Sequence, residues 1–286
     1  MNLVISVSGG ETSGYMMSRL LSSNDYDSIS CVFANTGQEN EETLIFIDRM
    51  AKYFNINIIW LESVTNHNEK KSSDYRVVSF DTADRTGKVF EDMIKKYGIS
   101  NMSYPHCTRE LKNEPIKQWC IDNFGTDYAI AIGIRTDESS RIPKTNTYRT
   151  VYPLITGGID KQDVIEYWES MPFRLGIENY QGNCKWCWKK SDKKLWIIAH
   201  ENPLVFDFPK SMEEKYGLAG ANDDGTKRVF FRGHRSAQDI LNQSAELIDD
   251  AVYQYQRDLI IREYHQSPIG GGCSESCEAF TQESLF

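Results

Sequence analysis

Leu3-Val4-Ile5-Ser6-Val7-Ser8-Gly9-Gly10-Glu11-Thr12-Ser13 is the stretch on which the fold turns. Its first five residues are short, apolar and rich in β-branched side chains, the composition of a buried strand. The run from Thr12 to Leu21 has a helical apolar stripe, so a strand passes into a helix through two adjacent glycines. In such a loop the backbone N–H groups can approach phosphate oxygens, and the helix N-terminus adds partial positive charge. The alternative for two glycines is a plain strand-to-helix turn. No Gly-Lys-Ser/Thr follows at the spacing of a Walker loop.

The same alternation continues outward. Ser30 to Ala34 reads as a second strand, followed by Asn35-Thr36-Gly37, a helix from about Glu41 to Phe54, and a third strand at Asn57 to Leu61. Strand, loop and helix in repetition predict an α/β fold, a parallel sheet with crossover helices. From 62 to 88 the pattern dissolves into Ser, Asn, Lys and Asp, expected to be an insertion or mobile loop. Leu111 to Phe124 reads as helix, Tyr128 to Ile134 as a fully buried strand, and Asp160 to Met171 as a helix with an Asp cap. Ser191 to His200 and a long helix from Ala237 to Tyr264 close a helical subdomain. The expected organisation is an α/β nucleotide-binding domain over 1–180, a cysteine-containing helical subdomain over 181–266, and a glycine-rich tail over 267–286.

Composition narrows the function classes. The 286 residues are 40% hydrophobic with a net charge of −9, which describes a globular chain and argues against a protein that wraps duplex nucleic acid. The longest apolar runs fall far short of the roughly 20 residues a membrane helix needs. With neither a basic leader nor a small-residue cleavage site at the start, a soluble cytoplasmic location is expected. Seven cysteines, an odd number, fit metal, cluster or thiol chemistry better than a disulfide framework.

Cys184-Lys185-Trp186-Cys187 has the C-x-x-C spacing that brings two thiolates to one centre, whether zinc, a redox pair or a cluster. Cys31, in a strand, and Cys120, in a helix, read as core residues. Trp186, Trp188, Lys189, Lys190, Lys193 and Lys194 interleave aromatics with cations, a pattern that suits either single-stranded nucleic acid or a solvated helix start. Arg228, Arg232, His234 and Arg235 form a second polar group, placed either to reach phosphates or to cap the long helix. His106 is the one histidine placed near chemistry, whereas His67, His200 and His265 read as surface residues.

Five ordered segments carry a family resemblance: Ser8-Gly9-Gly10-Glu11-Thr12-Ser13; Phe33-Ala34-Asn35-Thr36-Gly37-Gln38-Glu39; Cys107-Thr108-Arg109-Glu110-Leu111-Lys112 with Pro115; Gly133-Ile134-Arg135-Thr136-Asp137-Glu138 with Arg141; and Gly182-Asn183-Cys184-Lys185-Trp186-Cys187. Together they resemble the phosphoadenosine phosphosulfate (PAPS) reductase-like branch of the adenine nucleotide α-hydrolases, the PP-loop superfamily, in its phage or mobile-element form. The resemblance implies a parallel twisted sheet with helices on both faces, and an adenine nucleotide, ATP or PAPS/APS, bound at the carboxyl edge of the sheet. A bond is then broken between its α-phosphate and the group beyond.

Residue by residue, the resemblance places Ser8, Gly9, Gly10, Glu11, Thr12 and Ser13 at the phosphates, Ala34, Asn35, Thr36 and Gly37 near the adenosine, and Gly133 beside them. Arg135 and Arg141 are implied to stabilise phosphoryl charge, and Asp137 and Glu138 to hold Mg²⁺. Cys107 is implied to join Cys184 and Cys187, with Cys273 or Cys277 as a fourth ligand, around a [4Fe–4S] cluster or, failing that, zinc. Cys273 and Cys277 are also the candidate attacking thiols.

Three departures stand out. Glu11-Thr12 replaces the family's Lys-Asp, and His106-Cys107 replaces a Cys-Cys pair. The tail has Cys273-Ser274-Glu275-Ser276-Cys277 where assimilatory reductases end in Glu-Cys-Gly-Leu/Ile-His. The last two argue against a plain assimilatory sulfate role, and the first against ATP pyrophosphatase activity. The expected activity is sulfur transfer to an adenylated acceptor or sulfonucleotide reduction. The alternative is a catalytically silent nucleotide- or nucleic-acid-binding accessory protein with a structural zinc site. Expected partners are the nucleotide, a nucleic-acid or small-molecule acceptor, a sulfur or electron donor protein and a second copy of the chain, with no membrane.

Overall fold

The computed structural model describes residues 1–68, 70–146, 148–219 and 225–266. Cys273 and Cys277, with the rest of the expected tail, lie outside them.

Six strands form one sheet. In chain order the first half of the molecule runs β1 (Asn2–Ser6), α1 (Glu11–Leu20), β2 (Ile29–Asn35), α2 (Glu41–Tyr53), β3 (Ile58–Val64), β4 (Asp74–Val78) and α3 (Lys88–Tyr97). A short turn, α4 (His106–Thr108), passes through a π-helical segment at Arg109–Asn113 into α5 (Glu114–Phe124), then β5 (Tyr128–Ala131), β6 (Thr150–Val151), α6 (Pro153–Thr156) and α7 (Lys161–Ser170). The sheet order is β4-β3-β2-β1-β5-β6, parallel throughout except for the antiparallel pair β3–β4. β1 lies in the middle with all but its first residue buried, as its unbroken apolar run requires. The loops after β1, β2 and β5 therefore emerge side by side at the carboxyl edge.

Helices cover both faces. On one, Leu3 and Ile5 pack with Met16, Ile47, Met50 and Trp168; on the other, Val4, Val32 and Ile130 pack with Ile116 and Trp119. A further core joins α3 to α8 (Asp192–Glu201), α9 (Asp207–Tyr216), α10 (Ala237–Leu247) and α11 (Asp250–Gln266), around Phe90, Trp186, Phe206 and Phe230. α3 thus comes from the α/β half of the chain but packs with the C-terminal helices.

The structure revises some sequence boundaries. The 62–88 stretch carries β4, an edge strand. The expected helix Ala237–Tyr264 is two helices, broken at Ile248 and Asp249, where Ile248 is extended. The strand from Tyr128 ends at Ala131, freeing Ile132 to Ile134 to lead into the site.

Candidate active site

The loop after β1 is shaped by its own hydrogen bonds. Ser8 N–H donates to Ser13 Oγ at 3.1 Å, Ser13 Oγ donates to the Gly10 carbonyl at 2.9 Å, and the Ser8 and Ser13 hydroxyls meet at 3.0 Å. Gly9 adopts φ +85°, and a Cβ there would lie 2.5 Å from Thr43 Cγ2. Gly133 is required for a different reason: a Cβ on it would stand 3.2 Å from the Ser13 Cα, so the loops after β1 and β5 touch backbone to backbone.

The loop after β5 then turns back over α1. Arg135, 2% exposed, donates from Nη1 to Thr12 Oγ1 at 2.9 Å and grips Asp137 through Nε and Nη2 at 3.0 and 2.8 Å. Glu138, also buried, pairs with Arg141 and lies 3.5 Å from Arg135. Arg135 and Arg141 are both held by carboxylates, and Asp137 and Glu138 are arranged as partners of these arginines. Thr12, in place of the family's acidic residue, is an uncharged contact for Arg135.

The loop after β2 is equally fixed. Asn35 donates to Glu62 Oε1 at 2.7 Å and to the Asp84 carbonyl at 2.9 Å, and Thr36 donates through its N–H and hydroxyl to the two oxygens of Glu39. Glu62, fully buried, also takes Arg76 Nη2 at 2.7 Å, so β4 locks the loop from its outer side.

The C-x-x-C segment lies across both loops. Asn183 Nδ2 donates to the Ser8 carbonyl at 2.9 Å, Asn40 N–H to the Asn183 carbonyl at 2.8 Å, and Lys185 N–H to the Gln38 carbonyl at 3.0 Å. Trp186 Nε1 donates to Gln38 Oε1 at 2.6 Å, and Glu39 and Cys184 form an antiparallel bridge. Cys184 is half-buried and Cys187 buried. Cys107 sits half-buried in the adjoining core, its N–H on Ser100 Oγ, and Lys189 Nζ reaches Thr108 Oγ1 at 3.4 Å. The cysteine-bearing segments are thus neighbours. Among the described residues, however, no three His, Cys, Asp or Glu side chains converge as a metal site. The residues as placed fit neither a ready-made three-thiolate centre nor a carboxylate Mg²⁺ site.

Two sequence readings are corrected. Trp186, Trp188, Lys190 and Lys194 are buried, so they are core and not an exposed stacking platform. Arg232 and Arg235 tie their loop to the segment after Cys187, through the Lys189 carbonyl and Asp192 Oδ1, while Ser236 caps the helix. His106 stacks between Tyr97 and Tyr104, and burial together with the charges of Arg109 and Arg228 pushes its pKa down to about 4. Burial pushes the thiols of Cys31 and Cys120 up to about 12, as suits core residues.

A cavity of about 320 Å³ is lined by Gly10, Glu11, Thr12, Gly133, Arg135 and Glu138 together with Lys161, Arg174, Asn179 and Tyr264 from the chain's C-terminal half. Arg174 holds Glu11 in a two-pronged pair at 3.0 Å on each arm. Lys161 and Arg174 carry no motif and stand about 150 residues from the loop they face, so sequence spacing gave no sign of them.

Residues 2–153 match the phosphoadenosine phosphosulfate reductase domain family. The chain belongs to that family. It is 29% identical to the uncharacterized nin region protein ORF290 of Escherichia phage lambda, over 97% of this chain and 94% of the phage protein. It is also 28% and 25% identical to two uncharacterized proteins of Methanocaldococcus jannaschii, over 52% and 64% of this chain. The matches span 26% and 34% of those archaeal proteins. The family relation fits the sheet order and the three glycine-bearing loops gathered at one edge. No described helix is long and apolar enough to cross a membrane.

Proposed function

We propose that this chain binds an adenine nucleotide with its phosphates in the cavity lined by Gly10–Thr12 and Arg135, and breaks the bond joining the α-phosphate to the group beyond it. The observation that carries this reading is Arg135, buried, hydrogen-bonded to Thr12 at the N-terminus of α1, and lining the same cavity as Gly10 and Glu11. Carboxylates fix the guanidinium on one edge, so it can meet charge developing on a phosphoryl oxygen without first having to reorganise. The loop's N–H groups act with it. The nucleotide itself brings the phosphates that chelate Mg²⁺, whose position does not depend on Asp137 and Glu138 in this reading.

We further propose that sulfur enters from the cysteine side, because Cys184 lies in the strip that Asn183 fastens to Ser8. Iron–sulfur ligation by Cys107, Cys184 and Cys187 would require those segments to close up.

The test pairs two substrates. Pyrophosphate release from ATP with an acceptor extract, or sulfite release from adenylyl sulfate with a dithiol, supports the reading when Arg135→Ala abolishes it. Binding of neither nucleotide overturns it and leaves the silent accessory role. Iron, acid-labile sulfide and zinc counted on anaerobically purified protein decide the metal question separately.

A further inference from the structure

We infer that Lys161 is a binding residue for the anionic groups beyond the α-phosphate, and that Tyr264 occupies it until such a group arrives. The inference rests on the nucleotide reading above. Lys161 is the first residue of α7, immediately after the Asp160 cap, and is only 5% exposed although it lines the cavity. An ammonium at a helix N-terminus faces the positive end of the helix dipole, a position that favours anions. A second helix N-terminus, that of α1 at Gly10 to Thr12, lines the same cavity.

Tyr264, in the last turns of α11, meets Lys161 there: the ammonium donates to the Tyr264 carbonyl and lies 3.8 Å from the centre of its ring. A ring face and a carbonyl provide partial charge only. A phosphate oxygen provides a full one, so the ammonium gains an ion pair in place of an ion–dipole contact. An anion entering the cavity therefore takes Lys161 from Tyr264, and the end of α11 loses its hold on α7. A site closed in part of the population binds more weakly by the fraction that is open, so Tyr264 lowers the apparent affinity.

The test is calorimetry with AMP, ATP and inorganic pyrophosphate on the full chain. Lys161→Met is expected to weaken ATP and pyrophosphate by about tenfold or more while changing AMP by less than about twofold. Lys161→Arg retains most of the pyrophosphate affinity, and Tyr264→Ala tightens pyrophosphate by roughly threefold. Amide exchange at Arg262 to Tyr264 quickens when pyrophosphate binds. If Lys161→Met leaves pyrophosphate within about twofold of the native chain, or weakens AMP as much as ATP, the assignment of Lys161 is overturned. If that variant does not fold, unchanged pyrophosphate binding in Tyr264→Ala, which removes the ring and keeps the carbonyl, together with unchanged amide exchange at Arg262 to Tyr264 when pyrophosphate binds the native chain, overturns the displacement of Tyr264. A native chain that binds none of the three brings down the nucleotide reading itself, whereas native binding abolished by Arg135→Ala but indifferent to Lys161 defeats only this inference.

Discussion

The side chain of Asn183 donates to the backbone carbonyl of Ser8 at 2.9 Å, and neither residue is exposed to more than 8%. One amide therefore joins the segment bearing Cys184 and Cys187 to the phosphate loop, 175 residues away in sequence. Removing it leaves the Ser8 carbonyl without this donor inside the protein, at about 1–3 kcal/mol. Asn183→Ala is expected to lower Tm and to weaken nucleotide binding together, since the carbonyl belongs to the loop. A variant that loses stability but binds ATP as tightly as the native chain would show that the strip supports the fold alone.

The contact between Gly133 and Ser13 leads to a sharper expectation. Both are backbone, so an added methyl at Gly133 cannot be relieved by turning a side chain, and the loops must separate by a few tenths of an ångström. Gly133→Ala should cost about 1–3 kcal/mol and displace Arg135 from Thr12. Loss of nucleotide affinity beyond that of a similarly destabilised variant far from the site, such as Ile240→Val, is the measurement that checks it.

What the sequence shows most plainly is the buried interior. β1 and β2 were legible because a parallel strand covered on both faces must be apolar throughout, and the glycine loop was legible because its geometry leaves few alternatives. β4 was not: Asp74-Tyr75-Arg76-Val77-Val78 is an edge strand with no fully buried residue, held by pairing with β3, the Arg76–Glu62 contact and the partial packing of Tyr75 and Val78 against the cores. The break at Ile248 was hidden by helix formers on either side. Trp186 to Lys194 misled because residue type there suggests a surface. In the fold Trp186 is claimed by Gln38, Phe208 and Phe230, and Lys190 by the Cys184 carbonyl. Lys161 and Arg174 reach the cavity only through tertiary packing, which no local pattern records.

The five described cysteines should separate by environment. Cys31 and Cys120 are deeply buried with thiols pushed up to about 12, and are expected to resist alkylation in the native chain. Cys107 and Cys184, half-buried, should react first, with Cys187 slower. Peptide mass mapping after brief iodoacetamide treatment tests the order. Early labelling of Cys31 or Cys120 would mean that the sheet or α5 opens readily.

Glu213 gives the helical half a pH dependence. Its carboxyl is buried on α9, with one oxygen accepting from Phe230 N–H and the other from Ala237 N–H, so it pins the segment before α10. Burial, helped by the nearby charges of Asp239 and Glu214, raises its pKa from 4.5 to about 7 in spite of those two donors. Between these values the folded chain keeps a proton that the unfolded chain has released. Stability from this group is therefore greatest below the lower value, falls as pH rises through the window, and levels off above it. Glu213→Gln carries no such proton. Its Tm is expected to start below that of the native chain at about pH 5, because its amide cannot accept from both N–H groups, and the gap should narrow toward about pH 8. Parallel profiles for the two proteins would show that the carboxylate stays ionised in the fold, held by its two backbone donors.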